Sequence, residues 1–133
     1  MPEPDREGGC LCGAVRYRVH APLRDIVACH CGQCRRWHGH IGAYTAVVRE
    51  ALELTSGNEL VWYRSSDRAT RGFCRVCGSS LFWRGDGRAY VAIAAGSLDD
   101  ASGLRLAEHI FVADRAPYDA LDDGLPQHPH GLG

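Results

Sequence analysis

The stretch Cys74-Arg75-Val76-Cys77-Gly78 of this 133-residue chain has the spacing of a zinc knuckle, which predicts a fold organised around bound metal. Two thiolates at this spacing can bind one metal ion across a tight turn, and the glycine that follows relieves the backbone there. A structural zinc ion is closed by four ligands, so the knuckle needs two further ligands from another part of the chain.

The other cysteines of the seven form two groups. Cys10-Leu11-Cys12-Gly13 is a tighter pair, whose side chains share one face of a regular strand and need a bend to meet a single ion. Cys29-His30-Cys31-Gly32-Gln33-Cys34 contains three thiols and an imidazole. The seven cysteines can be divided into a set of four and a set of three. A set of three would suit a catalytic zinc ion, which has three protein ligands and one open position.

Spacing alone leaves other arrangements open. The knuckle could instead join Cys31 and Cys34, which would leave the remaining thiols spare. All seven cysteines could also serve structural metal, with His30 or His38 as an eighth ligand and no chemistry at all. A disulfide framework is disfavoured by the odd number of cysteines, and an iron–sulfur cluster is a further alternative.

Composition and charge limit the classes of function that we expect for this protein. Hydrophobic residues make up 45% and charged residues 23%, which is ordinary for a globular protein. The net charge of -1 gives no support to nucleic-acid binding. The sequence shows neither a secretory signal nor an apolar run long enough to cross a membrane. We therefore expect a soluble cytoplasmic protein that binds neither nucleic acid nor membrane.

Short alternating segments between glycine-rich turns predict a mostly β, single-domain protein. The predicted strands are Ala14–Val19, Ile26–Ala28, Ala43–Val48, Leu52–Thr55, Leu60–Arg64, Thr70–Phe73, Ser80–Trp83, Tyr90–Ala94 and His109–Val112. Only Gln33–His38 is predicted to be helical. The domain is expected to span residues 8–127, with flexible ends at 1–7 and 128–133.

Together, the cysteine motifs resemble the glutathione-dependent formaldehyde-activating enzyme (GFA) family, which is related to centromere protein V. The resemblance runs in order from Gly8 to Gln127. It includes the segments Gly8–Tyr17, Cys29–Arg35, Phe73–Ser79, Gly96–Asp100 and His109–Val112. One departure is Tyr118, where a tryptophan is expected in this family. The resemblance implies a β-tent fold of small antiparallel sheets around zinc.

The resemblance also implies two zinc ions per chain. The structural ion would be held by Cys10, Cys12, Cys74 and Cys77. The reactive ion would be held by Cys29, Cys31 and Cys34. The implied activity is that of a zinc-dependent carbon–sulfur lyase or thiol–aldehyde adduct synthase, similar to an S-hydroxymethylglutathione synthase, on a small thiol such as glutathione.

Residues beside the cysteines are candidates for the remaining roles. A thiol bound at the open position would be deprotonated by the metal, and its negative charge needs an offset. Arg35 and Arg36 follow Cys34, while Arg71 and Arg75 flank Cys74. Any of these guanidinium groups could bind a substrate carboxylate. His30 is a candidate proton shuttle, because imidazole titrates near neutral pH.

Two other functions fit the same motifs. One is a non-catalytic zinc-binding module for protein or chromatin interaction. The other is a thiol redox sensor built on the three-cysteine cluster. Exposed strand edges also predict a homodimer.

Overall fold

The computed structural model describes residues 4–131, which form ten β-strands and one α-helix. The strands are β1 (Arg6–Gly9), β2 (Arg16–Val19), β3 (Ile26–Cys29), β4 (Gly42–Val48), β5 (Leu52–Ser56), β6 (Leu60–Arg64), β7 (Ala69–Cys74), β8 (Ser80–Gly85), β9 (Tyr90–Ala94) and β10 (Leu106–Ile110). The helix α1 is Gly32–His38, and short 3-10 turns cover Arg49–Ala51, Ala95–Ser97 and Val112–Asp114.

The strands form two sheets. The smaller sheet has three antiparallel strands in the order β1-β2-β5. The larger sheet has seven strands in the order β10-β3-β4-β9-β8-β7-β6. Its neighbouring strands are antiparallel except for the β10–β3 pair at one edge. The prediction of a mostly β, single-domain fold is confirmed.

The predicted strands and the predicted helix match observed elements, and β1 was missed. The sequence of β1, Arg-Glu-Gly-Gly, has no apolar alternation, and its first two residues fall within the predicted flexible end at 1–7. It is a strand because Gly8 pairs with Tyr17 and forms an isolated bridge with Leu98. Tertiary pairing therefore overrides the weak local preference of this segment.

The main core lies where the two sheets meet. Its fully buried members include Val15, Tyr17, Leu81, Phe82 and Ile93. The rings of Tyr17 and Phe82 pack edge to face with their centroids 5.3 Å apart. A second cluster contains Cys29, Cys34, Tyr44 and Ala92. The three-cysteine motif is thus part of the packed interior rather than a surface loop.

Residues near the C-terminal end are attached to β10 and the turn after it. The backbone N–H of His109 donates to Pro126 at 2.9 Å, and that of Phe111 donates to His130 at 3.0 Å. The predicted flexible ends lie partly outside the described residues, at 1–3 and 132–133. Within residues 4–131, no helix is long and apolar enough to cross a membrane.

Candidate metal centres

Four cysteine sulfurs from two distant parts of the chain form the first cluster. Cys10 and Cys12 lie in the turn after β1, while Cys74 ends β7 and Cys77 lies in the turn before β8. All four Sγ atoms lie within 4.8 Å of one another. The Cys10–Cys12 and Cys12–Cys74 sulfur distances are 3.7 and 3.8 Å. A tetrahedron with Zn–S bonds of about 2.3 Å has edges of about 3.8 Å, so this donor set fits zinc.

Backbone geometry and hydrogen bonds hold these sulfurs in place. Gly78 has φ +80°, as the spacing of the knuckle predicts for the residue after Cys77. The N–H of Val15 donates to the Sγ of Cys10 at 3.2 Å. The side chain and the N–H of Ser79 hydrogen-bond to Cys77 and lower the pKa of its thiol to about 5. These donors favour thiolates, which are the form that binds metal.

The second cluster is local in sequence. Cys29 ends β3, Cys31 is the N-cap residue of α1, and Cys34 lies in the first turn of that helix. Their Sγ atoms also lie within 4.8 Å of one another, and Cys29 and Cys34 are buried. The Sγ of Cys31 accepts a hydrogen bond from the N–H of Cys34 at 3.3 Å.

Hydrogen bonds within this cluster give its thiols different pKa values. The thiols of Cys29 and Cys34 hydrogen-bond to Cys31 and lower its pKa to about 2. The same contact with Cys31 raises the pKa of Cys29. One thiolate is therefore stabilised by its neighbours before any ion binds. Within the described residues this group contains three ligands and no histidine or carboxylate.

His30 lies between two of these cysteines but is buried, with 2% of its surface exposed. Its Nδ1 hydrogen-bonds to Asp119, and its Nε2 lies 2.8 Å from Nδ1 of His109. The Nε2 of His109 lies 2.7 Å from Asp123. Both ring nitrogens of His30 are thus engaged, and this chain connects the cysteine loop to β10 and the 119–123 segment. A proton-shuttle role for His30 stays a prediction.

The arginines named from the sequence occupy different environments. Arg36 is exposed, Arg35 is half-buried, and neither side chain has a hydrogen-bond partner among residues 4–131. Arg75 is exposed and paired with Glu59. Arg71 is buried, and it reaches the three-cysteine cluster rather than the knuckle. It lies three positions from Cys74 on β7, so their side chains point to opposite faces of the sheet.

Arg71 belongs to a buried polar group that also contains Tyr44 and His38. Its Nη1 donates to the hydroxyl of Tyr44 at 3.2 Å, and that hydroxyl lies 2.5 Å from Nε2 of His38. Burial, followed by the nearby Arg71 charge, lowers the pKa of His38 to about 4, and burial raises the pKa of Tyr44 to about 12. A neutral His38 accepts from the Tyr44 hydroxyl. The sequence did not predict this role of Tyr44, because the pattern of its strand gives no sign that its hydroxyl joins a polar group.

Comparisons with known proteins agree with this architecture. The family model described as "Glutathione-dependent formaldehyde-activating enzyme" matches residues 5–114. An uncharacterized lyase of Schizosaccharomyces pombe is 34% identical over 82 residues, which cover 60% of this chain and 58% of the relative. The match thus spans less than two-thirds of that relative's length.

A crystal structure of a Rhodobacter sphaeroides protein is similar with a TM-score of 0.60 and 26% identity. The similarity covers 73% of this chain and 91% of that one.

Proposed function

The chain belongs to the glutathione-dependent formaldehyde-activating enzyme family. We propose that it is a zinc-dependent carbon–sulfur lyase, which in the reverse direction would act as a thiol–aldehyde adduct synthase. The substrate would be a small thiol such as glutathione, with formaldehyde as the aldehyde. The observation that carries the proposal is a cluster of three cysteine sulfurs, within 4.8 Å of one another, that the described chain does not complete with a fourth protein ligand.

The two clusters would hold zinc for different purposes. Cys10, Cys12, Cys74 and Cys77 would close a structural site, since four thiolates leave no position free. Cys29, Cys31 and Cys34 would hold the reactive ion. Zinc held there would act as a Lewis acid that favours the deprotonated form of a substrate thiol. The protein's own contribution would be to limit the access of water, because Cys29 and Cys34 are buried beside Tyr44 and Ala92.

Other residues would bind the substrate and move protons. Arg36, exposed beside the cluster, and Arg35 are the proposed contacts for a substrate carboxylate. Proximity of a bound thiolate and an aldehyde would supply much of the rate gain. His30 remains the proposed proton shuttle, and Asp119 would orient its ring. All seven cysteines are free, which fits the reducing cytoplasm we propose as the location.

The first test combines metal counting with adduct exchange. We expect two zinc ions per chain in protein purified without chelator. NMR exchange measurements with formaldehyde and glutathione, cysteine or 2-mercaptoethanol should show adduct formation and cleavage faster than in buffer. Cys31→Ser should lose one zinc ion and the rate enhancement together.

The control is Ser102→Ala, a change at an exposed position in the turn before β10 that is remote in sequence from every cysteine, and it should keep both ions and the activity. Two zinc ions without a rate enhancement for any thiol would contradict the enzymatic proposal and favour the binding module. Reversible oxidation of the three-cysteine cluster with loss of its ion, and no exchange activity, would favour the redox sensor.

A further inference from the structure

Arg71 is the one buried arginine among residues 4–131, with 3% of its surface exposed. Its side chain has no carboxylate partner within that part of the chain. The arginines that do form ion pairs, such as Arg16 with Asp99 and Arg64 with Asp86, lie at the surface. A guanidinium group stays charged in a protein, so burying it without a counter-ion is costly.

The groups that contact this guanidinium are a hydroxyl, a side-chain amide and a thiol. Nη1 donates to the Tyr44 hydroxyl at 3.2 Å, and Nη2 lies 3.5 Å from Oε1 of Gln33 and 3.8 Å from Sγ of Cys34. Nε is buried and has no hydrogen-bond partner in the described chain. The hydroxyl and the amide leave the positive charge uncompensated. Of the three groups in contact, the thiol of Cys34 is the one that metal binding would convert into an anion.

Metal loading would create the missing counter-ion. Three thiolates around one divalent ion carry a net charge of minus one, and a bound guest thiolate brings the charge to minus two. We propose that Arg71 is the built-in counter-ion of the three-cysteine site, and that it adapts this site to an anionic fourth ligand rather than a neutral one. The inference rests on the proposed function, since it assumes that the site binds zinc and a thiol.

The proposal predicts different effects of Arg71 in the empty and the loaded site. With the site empty, neither an ion-bound thiolate set nor a guest anion is present for Arg71 to offset, so Arg71→Met should change the unfolding temperature little. With the site loaded, the same change should reduce the stabilisation gained on binding the second ion. An arginine with only a packing role would lower the unfolding temperature in both states.

The first experiment measures both states for three variants. Arg71→Met removes the charge, Arg71→Lys keeps it, and Arg75→Met is the matched control because Arg75 is exposed and paired with Glu59 beside the other cluster. Competition with a chromophoric chelator should show about tenfold weaker zinc binding at the more labile site in Arg71→Met, the loss expected for a hydrogen bond to a charged group. Arg71→Lys and Arg75→Met should stay within about threefold of the wild type.

The second experiment tests the choice of guest. With Co²⁺ in the labile site, 2-mercaptoethanol and imidazole are titrated separately and followed by the visible spectrum. Arg71→Met should weaken the binding of the thiol several-fold more than the binding of imidazole. If Arg71→Met does not fold, Arg71→Gln, which removes the charge but keeps a polar side chain, replaces it in both experiments.

The failures of the two proposals are distinguishable. A wild-type protein that takes up only one zinc or cobalt ion, even with excess metal, overturns the proposed function and this inference with it. A wild-type protein with two ions, in which the charge-removing variant binds the second ion as tightly as the wild type, overturns the role of Arg71 alone. Equal weakening of thiol and imidazole binding also overturns it.

Discussion

The imidazole of His20 contacts the carboxylates of Asp5, which precedes β1, and of Glu53, which lies in β5. Its Nδ1 lies 2.8 Å from Oδ2 of Asp5, and its Nε2 lies 2.7 Å from Oε1 of Glu53. The hydrogen bond with Glu53, and then that with Asp5, raises the pKa of His20 above its ordinary value of 6.5. The imidazolium form therefore connects the segment before β1 to β5, across the intervening β2.

This contact should make part of the stability depend on pH. Because the pKa is raised in the folded state, the stabilisation is fully present below about pH 6.5, the pKa of an unfolded histidine, and it is lost as the pH rises through the folded pKa. We expect His20→Gln to lower the unfolding temperature at pH 6 and to have a smaller effect at pH 9. Thermal unfolding with zinc in excess measures both differences.

The control is Arg18→Gln, which breaks the neighbouring Arg18–Glu7 pair on the same sheet. Arginine does not titrate in this range, so its effect should be the same at the two pH values. An effect of His20→Gln that does not change with pH would contradict the prediction.

At the scale of single residues, the sequence predicted the cysteines better than their surroundings. The structure brings together the same four and the same three sulfurs that the count and the family resemblance proposed. Cysteine spacing is informative because one metal ion needs its ligands at fixed distances. The contact of Arg71 with the three-cysteine cluster was not predictable from spacing. It depends on the face of β7 from which the Arg71 side chain projects.

β1 and the turn after β9 form one of the contacts between the two sheets. Gly8 and Leu98 form an isolated bridge, and the hydroxyl of Tyr17 lies 2.7 Å from Oγ of Ser97. A Cβ atom on Gly8 would lie 2.3 Å from the Tyr17 oxygen and 2.4 Å from the carbonyl oxygen of Ser97. The backbone oxygen cannot move without disturbing the bridge, so glycine is required at this position.

We expect Gly8→Ala to lower the free energy of unfolding by about 1–3 kcal/mol, the usual cost of overpacking. Chemical denaturation in excess zinc measures the loss. Gly96→Ala is the matched control, because it lies in the facing turn and an added Cβ there meets nothing within 4 Å. Equal stability of the two variants would show that the sheets can separate locally without cost.

The elements that sequence patterns predicted are those with their own periodicity. β4 and β9 pair along their length, from Tyr44 with Ala94 to Val48 with Tyr90, and both strands were predicted. β1 has no such pattern and exists only through its pairing with β2. The order of the strands and the parallel β10–β3 pair were not predictable, because pairing depends on long-range contacts that leave no local signal. β6 is an edge strand, and the predicted homodimer stays a prediction.

The two clusters differ in how much of the molecule they connect. The four-cysteine cluster joins residues 62 positions apart, since Cys12 contacts Cys74, and it fixes the turn after β1 to the β7–β8 hairpin. The three-cysteine cluster spans one short loop and the first turn of α1. An ion that closes a long loop contributes more to folding than one that binds a local loop.

Zinc removal should therefore proceed in two separable steps. A weak chelator should take the ion of the three-cysteine cluster first, with the far-UV circular dichroism unchanged, because β3 is held in the sheet by its pairing with β4 and β10. A strong chelator should then remove the second ion and unfold the chain in the same transition. Cys31→Ser should reproduce the first state, and Cys77→Ser should fail to fold even in excess zinc. If Cys31→Ser unfolds the chain as completely as Cys77→Ser, then both sites are needed for folding. The proposal that the three-cysteine site is a reactive site with an open position would then be contradicted.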